Sequence, residues 1–235
     1  MSSFAIYDVR CPECSHVQKA QLFHSVNGQR LGAAEDAIIE GRLHLVCCDR
    51  CGNEYLAERG VIYIHLAKKQ LVAMYPRDQM QQFRYLEDHV ASVFQREFVQ
   101  MAPNTVSRAA EQLTSRLVFG SRQFAERLRV FRLGIDDRLL ECTKLWLIKQ
   151  RLADLIELGS VELCLDDRRD DTLLFSVLNL DSGTDVKQMT APAKILSFLD
   201  QKRDDFERAY PDLFAKTFAS ATRYFLPPPL RWTAL

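Results

Sequence analysis

Arg10-Cys11-Pro12-Glu13-Cys14, taken with Cys47-Cys48-Asp49-Arg50-Cys51-Gly52, decides the fold of the first third of this chain. Two Cys-x2-Cys pairs about thirty residues apart suit a tetrahedral ion, because each short loop aims two thiolates at one point without strain. The reading is a closed zinc site at Cys11, Cys14, Cys48 and Cys51. Four protein ligands leave no position for water or substrate, so such a site accounts for folding and not for a reaction. The same four thiolates suit iron, which is the lesser alternative. A redox dithiol wants one exposed pair on a βαβ unit, whereas antiparallel strands are expected here. Ser15 also stands where covalent haem attachment demands histidine. Four thiolates around a dication carry a net charge near minus two, which Arg10 or Arg50 would offset.

Around the cysteines the pattern is strand-like. Phe4 to Tyr7 alternates into the first loop, Val17 to Val26 reads as a strand with an irregularity, and Gly32 to Glu40 has helical spacing ended by Gly41. Leu43, Leu45 and Cys47 alternate into the second loop. If Cys48 faces the metal, Cys47 faces away and is expected as a small buried apolar residue. Gly52 suits a loop turning through positive φ, so Ser15 at the matching place of the first loop must bear some strain. Tyr55-Leu56, Val61 to Ile64 and Leu71 to Tyr75 read as further strands, with Lys68 and Lys69 in a turn.

From about Gln79 the pattern becomes helical, with one proline and two glycines between Arg77 and Leu158. Phe83, Leu86, Val90, Val93, Phe94 and Phe98 mark a helix of about six turns, broken at Pro103-Asn104-Thr105. Phe124, Leu128 and Phe131 mark a second helix ending near Gly134. A third starts at Asp136, whose carboxylate can accept from first-turn amides, and runs through Leu139, Leu140, Leu145, Trp146 and Ile148. Val161 to Leu165 and Thr172 to Leu178 read as a hairpin with the charged tip Asp166 to Asp171. Short helices are expected over Ala191–Phe198, Gln201–Tyr210 and Leu213–Tyr224. The tail Leu226-Pro227-Pro228-Pro229-Leu230-Arg231-Trp232 should be extended, frayed or docked through Trp232.

The expected fold class is therefore α+β: an N-terminal antiparallel zinc ribbon over 1–77, a mainly helical region over 78–157, and a mixed region with a hairpin and short helices over 158–235. The last is read either as a region of its own or as one unit with the helices. Cys11-Pro12-Glu13-Cys14, the strand-rich insert and the second cysteine pair resemble the bacterial and archaeal CpXC family. Ser121 to Phe131 followed by Gly134-Ile135-Asp136-Asp137-Arg138-Leu139-Leu140-Glu141 is similar to the helical part found after that motif. The resemblance covers roughly residues 4 to 150 and implies a zinc-ribbon-like fold with metal on the four cysteines. It supplies no established activity. The second motif departs from the family pattern, since Asp49 stands where proline is expected. That loop loses a fixed φ and gains an amide.

Function is less legible. In 235 residues, 31 basic side chains balance 31 acidic ones, so no global field draws the protein to nucleic acid or an anionic membrane. The first ten residues lack the apolar run of a signal peptide and no segment has membrane-spanning length, which reads as cytoplasmic with no membrane partner. Arg108, Arg116, Arg122, Arg127, Arg129 and Arg132 outnumber Glu111 and Glu126, so an arginine-rich helix over 108–132 is the best case for phosphate contact. Asp137, Glu141 and Lys144 share a helical face and could serve as acid and base, although a solvated face with a Glu141 to Lys144 pair is the ordinary expectation. The five histidines are dispersed, without Ser/His/Asp spacing or a phosphate loop. The leading expectation is a non-catalytic zinc-binding adaptor for another protein. Nucleic-acid binding is second, and an enzyme centred on Asp137, Glu141 and Lys144 is third.

Overall fold

The computed structural model describes residues 2–100, 110, 112–152, 161–179 and 184–226. The break at Pro103, Arg108 and Glu111, and the tail beyond Leu226, lie outside the described residues. The fold is α+β, and the chain divides into two compact units. One comprises Met1–Met80 with Arg84–Leu128, and the other Gln81–Phe83 with Arg129–Leu235.

The first unit is built on a five-stranded sheet in the order β1 (Ser3–Arg10), β2 (Val17–Asn27), β5 (Val61–His65), β6 (Gln70–Tyr75), β7 (Thr114–Phe119). β1 and β2 pair antiparallel, and the expected irregularity lies where Ser3 pairs with Ser25 but Phe4 with Phe23, so that His24 is passed over. The sheet is mixed, which corrects the expected all-antiparallel ribbon: β2 runs parallel to β5, and β6 parallel to β7. A parallel neighbour needs a crossover. For β2 to β5 the crossover contains α1 (Gly32–Ile39) and the small antiparallel pair β3 (Leu45–Cys47) and β4 (Glu54–Leu56). Tyr63, fully buried on β5, donates its hydroxyl to Glu35 of α1 at 2.7 Å, and Lys68 Nζ reaches the same carboxylate at 3.2 Å. The backbone of Gly28 lies against that tyrosine ring, where any Cβ would come within 2.4 Å of the hydroxyl oxygen.

The six-turn helix is segmented. A 3-10 stretch, Arg77–Gln82, leads into α2 (Phe83–Phe94), and a π-helical stretch follows over Gln95–Gln100. The arginine-rich stretch 108–132 is not one helix. Thr114–Phe119 forms β7, whose Leu117, Val118 and Phe119 are buried, and only then does α3 (Gly120–Arg132) begin. Apolar β-branched and aromatic residues beside an apolar strand edge favour the ladder over helical propensity.

In the second unit α4 (Asp137–Arg151) starts as expected. Asp136 is its N-cap and accepts from the Arg138 amide at 2.9 Å. Its Leu140, Leu145, Leu147 and Ile148 join Leu165, Leu173, Phe175 and Val177 of a three-stranded antiparallel sheet in one buried cluster. That sheet has the order β10 (Asp185–Pro192), β9 (Thr172–Asn179), β8 (Val161–Arg169). β8 extends through Asp166 to Arg169, so the turn is only Asp170-Asp171. β10 takes Ala191 and Pro192 from the expected helix, which instead begins at Lys194 as α5 (Lys194–Asp200). α6 (Arg203–Ala209), α7 (Pro211–Ala215) and a 3-10 turn, Ala221–Tyr224, complete the described chain.

Candidate metal centre

Cys11 follows β1 and Cys14 lies in the turn before β2, while Cys48 and Cys51 occupy the turn between β3 and β4. The two turns repeat one hydrogen-bond scheme. The Ser15 amide donates to the Cys11 carbonyl at 3.0 Å, as the Gly52 amide does to Cys48 at 2.8 Å. The Cys11 amide donates to His16 O, and the Cys48 amide to Asn53 O, both at 2.8 Å. Closing such a turn puts the residue after the second cysteine at positive φ, 73° for Gly52 and 59° for Ser15. The strain expected at Ser15 is therefore present, since a Cβ is disfavoured there.

The turns bring four sulfurs together. Cys11 Sγ lies 3.7 Å from Cys51 Sγ and Cys14 Sγ lies 3.6 Å from Cys48 Sγ, with all four within 4.8 Å of one another. A tetrahedron of metal–sulfur bonds of about 2.3 Å has edges of about 3.8 Å, so the donor set fits one ion with small adjustment. Cys11 and Cys48 are buried, Cys14 is half-buried and Cys51 is exposed. The Cys14 amide leads in drawing the Cys11 thiol down to about 7, against its burial. At Cys51 the Asn53 amide pulls downward, yet the thiols of Cys14, Cys48 and Cys11 together with burial push it to about 12. An ion binding among the four displaces the remaining thiol protons. Burial and then the charges of Cys11 and Cys48 raise the Tyr55 phenol, so this β4 side chain stands within the field of the same sulfurs.

Three polar residues that spacing did not single out join the two knuckles. Gln18, the second residue of β2, donates from Nε2 to the Cys47 carbonyl at 2.8 Å and accepts from the Asp49 amide at 2.9 Å. That amide is the one gained by having Asp49 in place of proline. His16 Nε2 lies 2.8 Å from Asp49 Oδ1. Below the knuckles, Val9, Leu22 and Val46 form a small buried cluster against which Tyr7, Ala20, Tyr55 and Ala57 pack. Cys47 does face away from the buried Cys48, but it is exposed on β3, with its thiol 3.6 Å from the Gly52 carbonyl. Among the described residues β3 pairs with β4 alone, so no third strand covers this cysteine. Arg10 and Arg50 are exposed beside the knuckles.

The other candidate residues take different places. Asp137, Glu141 and Lys144 are all buried, which corrects the expected solvated face. Lys144 Nζ donates to Glu141 Oε1 at 2.9 Å, and Glu141 Oε2 accepts the Ala221 amide at 2.8 Å, so the pair ties α4 to the last 3-10 turn. The α4 stripe is apolar on more of its circumference than heptad counting suggests, because sheet and short helices both cover it. The arginines disperse likewise. Arg116 and Arg127 are buried, Arg129 donates to the Leu165 carbonyl at 2.9 Å, Arg122 is half-buried and Arg132 is exposed.

Two turns of one design closing on four thiolates define an α+β protein with a four-cysteine centre able to hold a metal ion. Residues 9–144 match the family described as CpXC protein, well over half of the chain, and the chain belongs to that family. Comparison with curated proteins and with solved structures gave no match. Among the described residues no helix is long and apolar enough to cross a membrane.

Proposed function

We propose that Cys11, Cys14, Cys48 and Cys51 hold a structural zinc ion, and that the protein serves in the cytosol as a non-catalytic adaptor presenting a metal-braced surface to another protein. The observation that carries this reading is the closed donor set: four sulfurs within 4.8 Å of one another on two turns of one hydrogen-bond scheme. Zinc bound there supplies folding free energy and takes up the thiolate charge, and it keeps no coordination site for a substrate. The binding work then falls to surfaces that the ion holds in register. Iron in the same site is the lesser alternative.

Purified protein should contain one equivalent of zinc per chain by elemental analysis, with no visible thiolate-to-iron absorption. Purification from the native cell, split into nuclease-treated and untreated halves, tests the adaptor role. A stoichiometric protein that survives nuclease supports it, and material lost with nuclease overturns it in favour of nucleic acid.

A further inference from the structure

A groove of about 1020 Å³ opens within the C-terminal unit between α4 and the helices α5 and α6. Trp146 of α4, Ile195 and Phe198 of α5, and Phe206 of α6 supply apolar wall. Phe198 stays 54% exposed and Trp146 41%, while Leu147 and Leu199 of the same lining are closed off from water. Contiguous apolar surface left open to solvent marks a ligand groove or an interface.

The charge of the lining has one sign. Arg151 at the end of α4, Lys194 at the start of α5 and Lys202 between α5 and α6 are all exposed and all line the groove. Among the described residues none of the three has a carboxylate partner. The one acid of the lining, Asp205, already accepts from Arg208. Lys202 Nζ lies 5.3 Å from the centre of the Phe198 ring, so a cation stands directly beside the exposed apolar wall. An anion seated here meets three cations, of which the guanidinium can grip a carboxylate through two parallel hydrogen bonds.

Size selects the kind of occupant. Fourteen residues line the groove, whereas a stable protein interface takes about 20–30 a side. Small-molecule sites run to about 1,000 Å³ and are mainly apolar, with a few polar groups that orient the ligand. We propose that this groove binds a fatty carboxylate, a small amphiphile whose hydrocarbon chain lies against Trp146, Phe198 and Phe206 while its head group meets the cations of the lining. The inference goes beyond the metal-based reading and does not depend on it, because every lining residue belongs to the second compact unit.

The chain has two tryptophans, so in full-length W232F protein Trp146 is the sole reporter. Octanoate, decanoate and dodecanoate, each below its micelle-forming concentration, should shift and protect its emission saturably at one ligand per chain. Affinity should rise by up to about fourfold for each added methylene. Dodecanoate should bind several-fold tighter than dodecanol, and added salt should narrow that gap. The triple variant Arg151→Gln, Lys194→Gln and Lys202→Gln should lose the preference for the acid yet keep dodecanol binding, circular dichroism and melting. Phe198→Gln should weaken acid and alcohol alike. The proposal is overturned by the absence of saturable dodecanoate binding up to its solubility limit, by equal affinity for acid and alcohol, or by a preference for the acid that survives the triple variant. It is overturned equally if a glutamate-rich peptide carrying leucine and phenylalanine binds and dodecanoate cannot displace it, which would assign the groove to a protein partner. Protection of Trp146 that rises with protein concentration alongside dimers in sedimentation would assign it instead to a second copy.

Discussion

Gln18 shows how one side chain can join two loops far apart in sequence. Its amide group donates to Cys47 and accepts from Asp49, so both ends are used on the second knuckle while its backbone belongs to the strand following the first. Gln18→Ala should weaken the site by about 1–3 kcal/mol, the range for two lost hydrogen bonds with a carbonyl and an amide left to water. Competition with a chromophoric chelator reads that directly. Ser15 offers the opposite change. Ser15→Gly removes the Cβ at φ 59° and should stabilise the metal-bound protein by up to about 1 kcal/mol in denaturant titration. His44 contributes pH dependence outside the cysteines. Burial pushes its pKa down to about 4, and its Nε2 accepts the Phe23 amide at 2.8 Å, a bond the neutral ring alone can make. The unfolded chain binds that proton near 6.5, so between about 6.5 and 4 the unfolded state holds more protons. The stability from His44 is complete above that window and is lost as pH falls through it. His44→Gln should flatten the difference in melting temperature between pH 7 and pH 5.

At the scale of the element, α4 contains charges that its neighbours bury. Lys144 and Glu141 are one turn apart, and Glu141 also holds the Ala221 amide, so the pair is a clasp between a helix and the last turn of the unit. Removing one partner leaves the other charged and dry, which costs about 3–5 kcal/mol. Glu141→Ala should therefore lower the unfolding midpoint strongly while leaving the metal stoichiometry of the four-cysteine centre at its original value. A catalytic role for that carboxylate is not required by such a result. On β7 and α3 the neighbours again decide. Arg116 and Arg127 are buried and Arg132 is exposed, so Arg127→Glu, which reverses a charge in the interior, should destabilise more than Arg132→Glu. Urea denaturation separates the two.

At the scale of the molecule, the centre and the large apolar cluster belong to different compact units. The cluster of Leu140, Leu147, Phe175 and Leu213 contains no residue near Cys11, Cys14, Cys48 or Cys51 in sequence, whereas the small cluster of Val9, Leu22 and Val46 includes residues two positions before Cys11 and Cys48. A core of three buried residues cannot hold β3 and β4 by itself, and structural zinc supplies about 10–16 kcal/mol of apparent binding energy in small fingers. Chelation, or Cys11→Ser with Cys48→Ser, should expose the segment 1–66 to protease first. Amide protection in α4 and β9 should persist. Retention of native protease resistance across the cysteine knuckles would contradict the structural role of the metal.

Each Cys-x2-Cys turn, the positive φ at Ser15 and Gly52, α1, α4 with its Asp136 cap and the helix around Phe124 were all legible in the chain, because each rests on contacts within a few residues. Turn geometry, capping and helical periodicity are local. The parallel pairing of β6 with β7, the third strand β10, the exposure of Cys47 and the burial of Glu141 with Lys144 were decided only in three dimensions. Each depends on which distant segment lies alongside. A six-residue strand such as Thr114–Phe119, apolar only over Leu117-Val118-Phe119, reads as a helix segment until a sheet edge is placed beside it. Gln18 and Asp49 show the same division: their polar groups carry no spacing signal, and their roles appear when two loops thirty residues apart in sequence are brought by folding within about 3 Å.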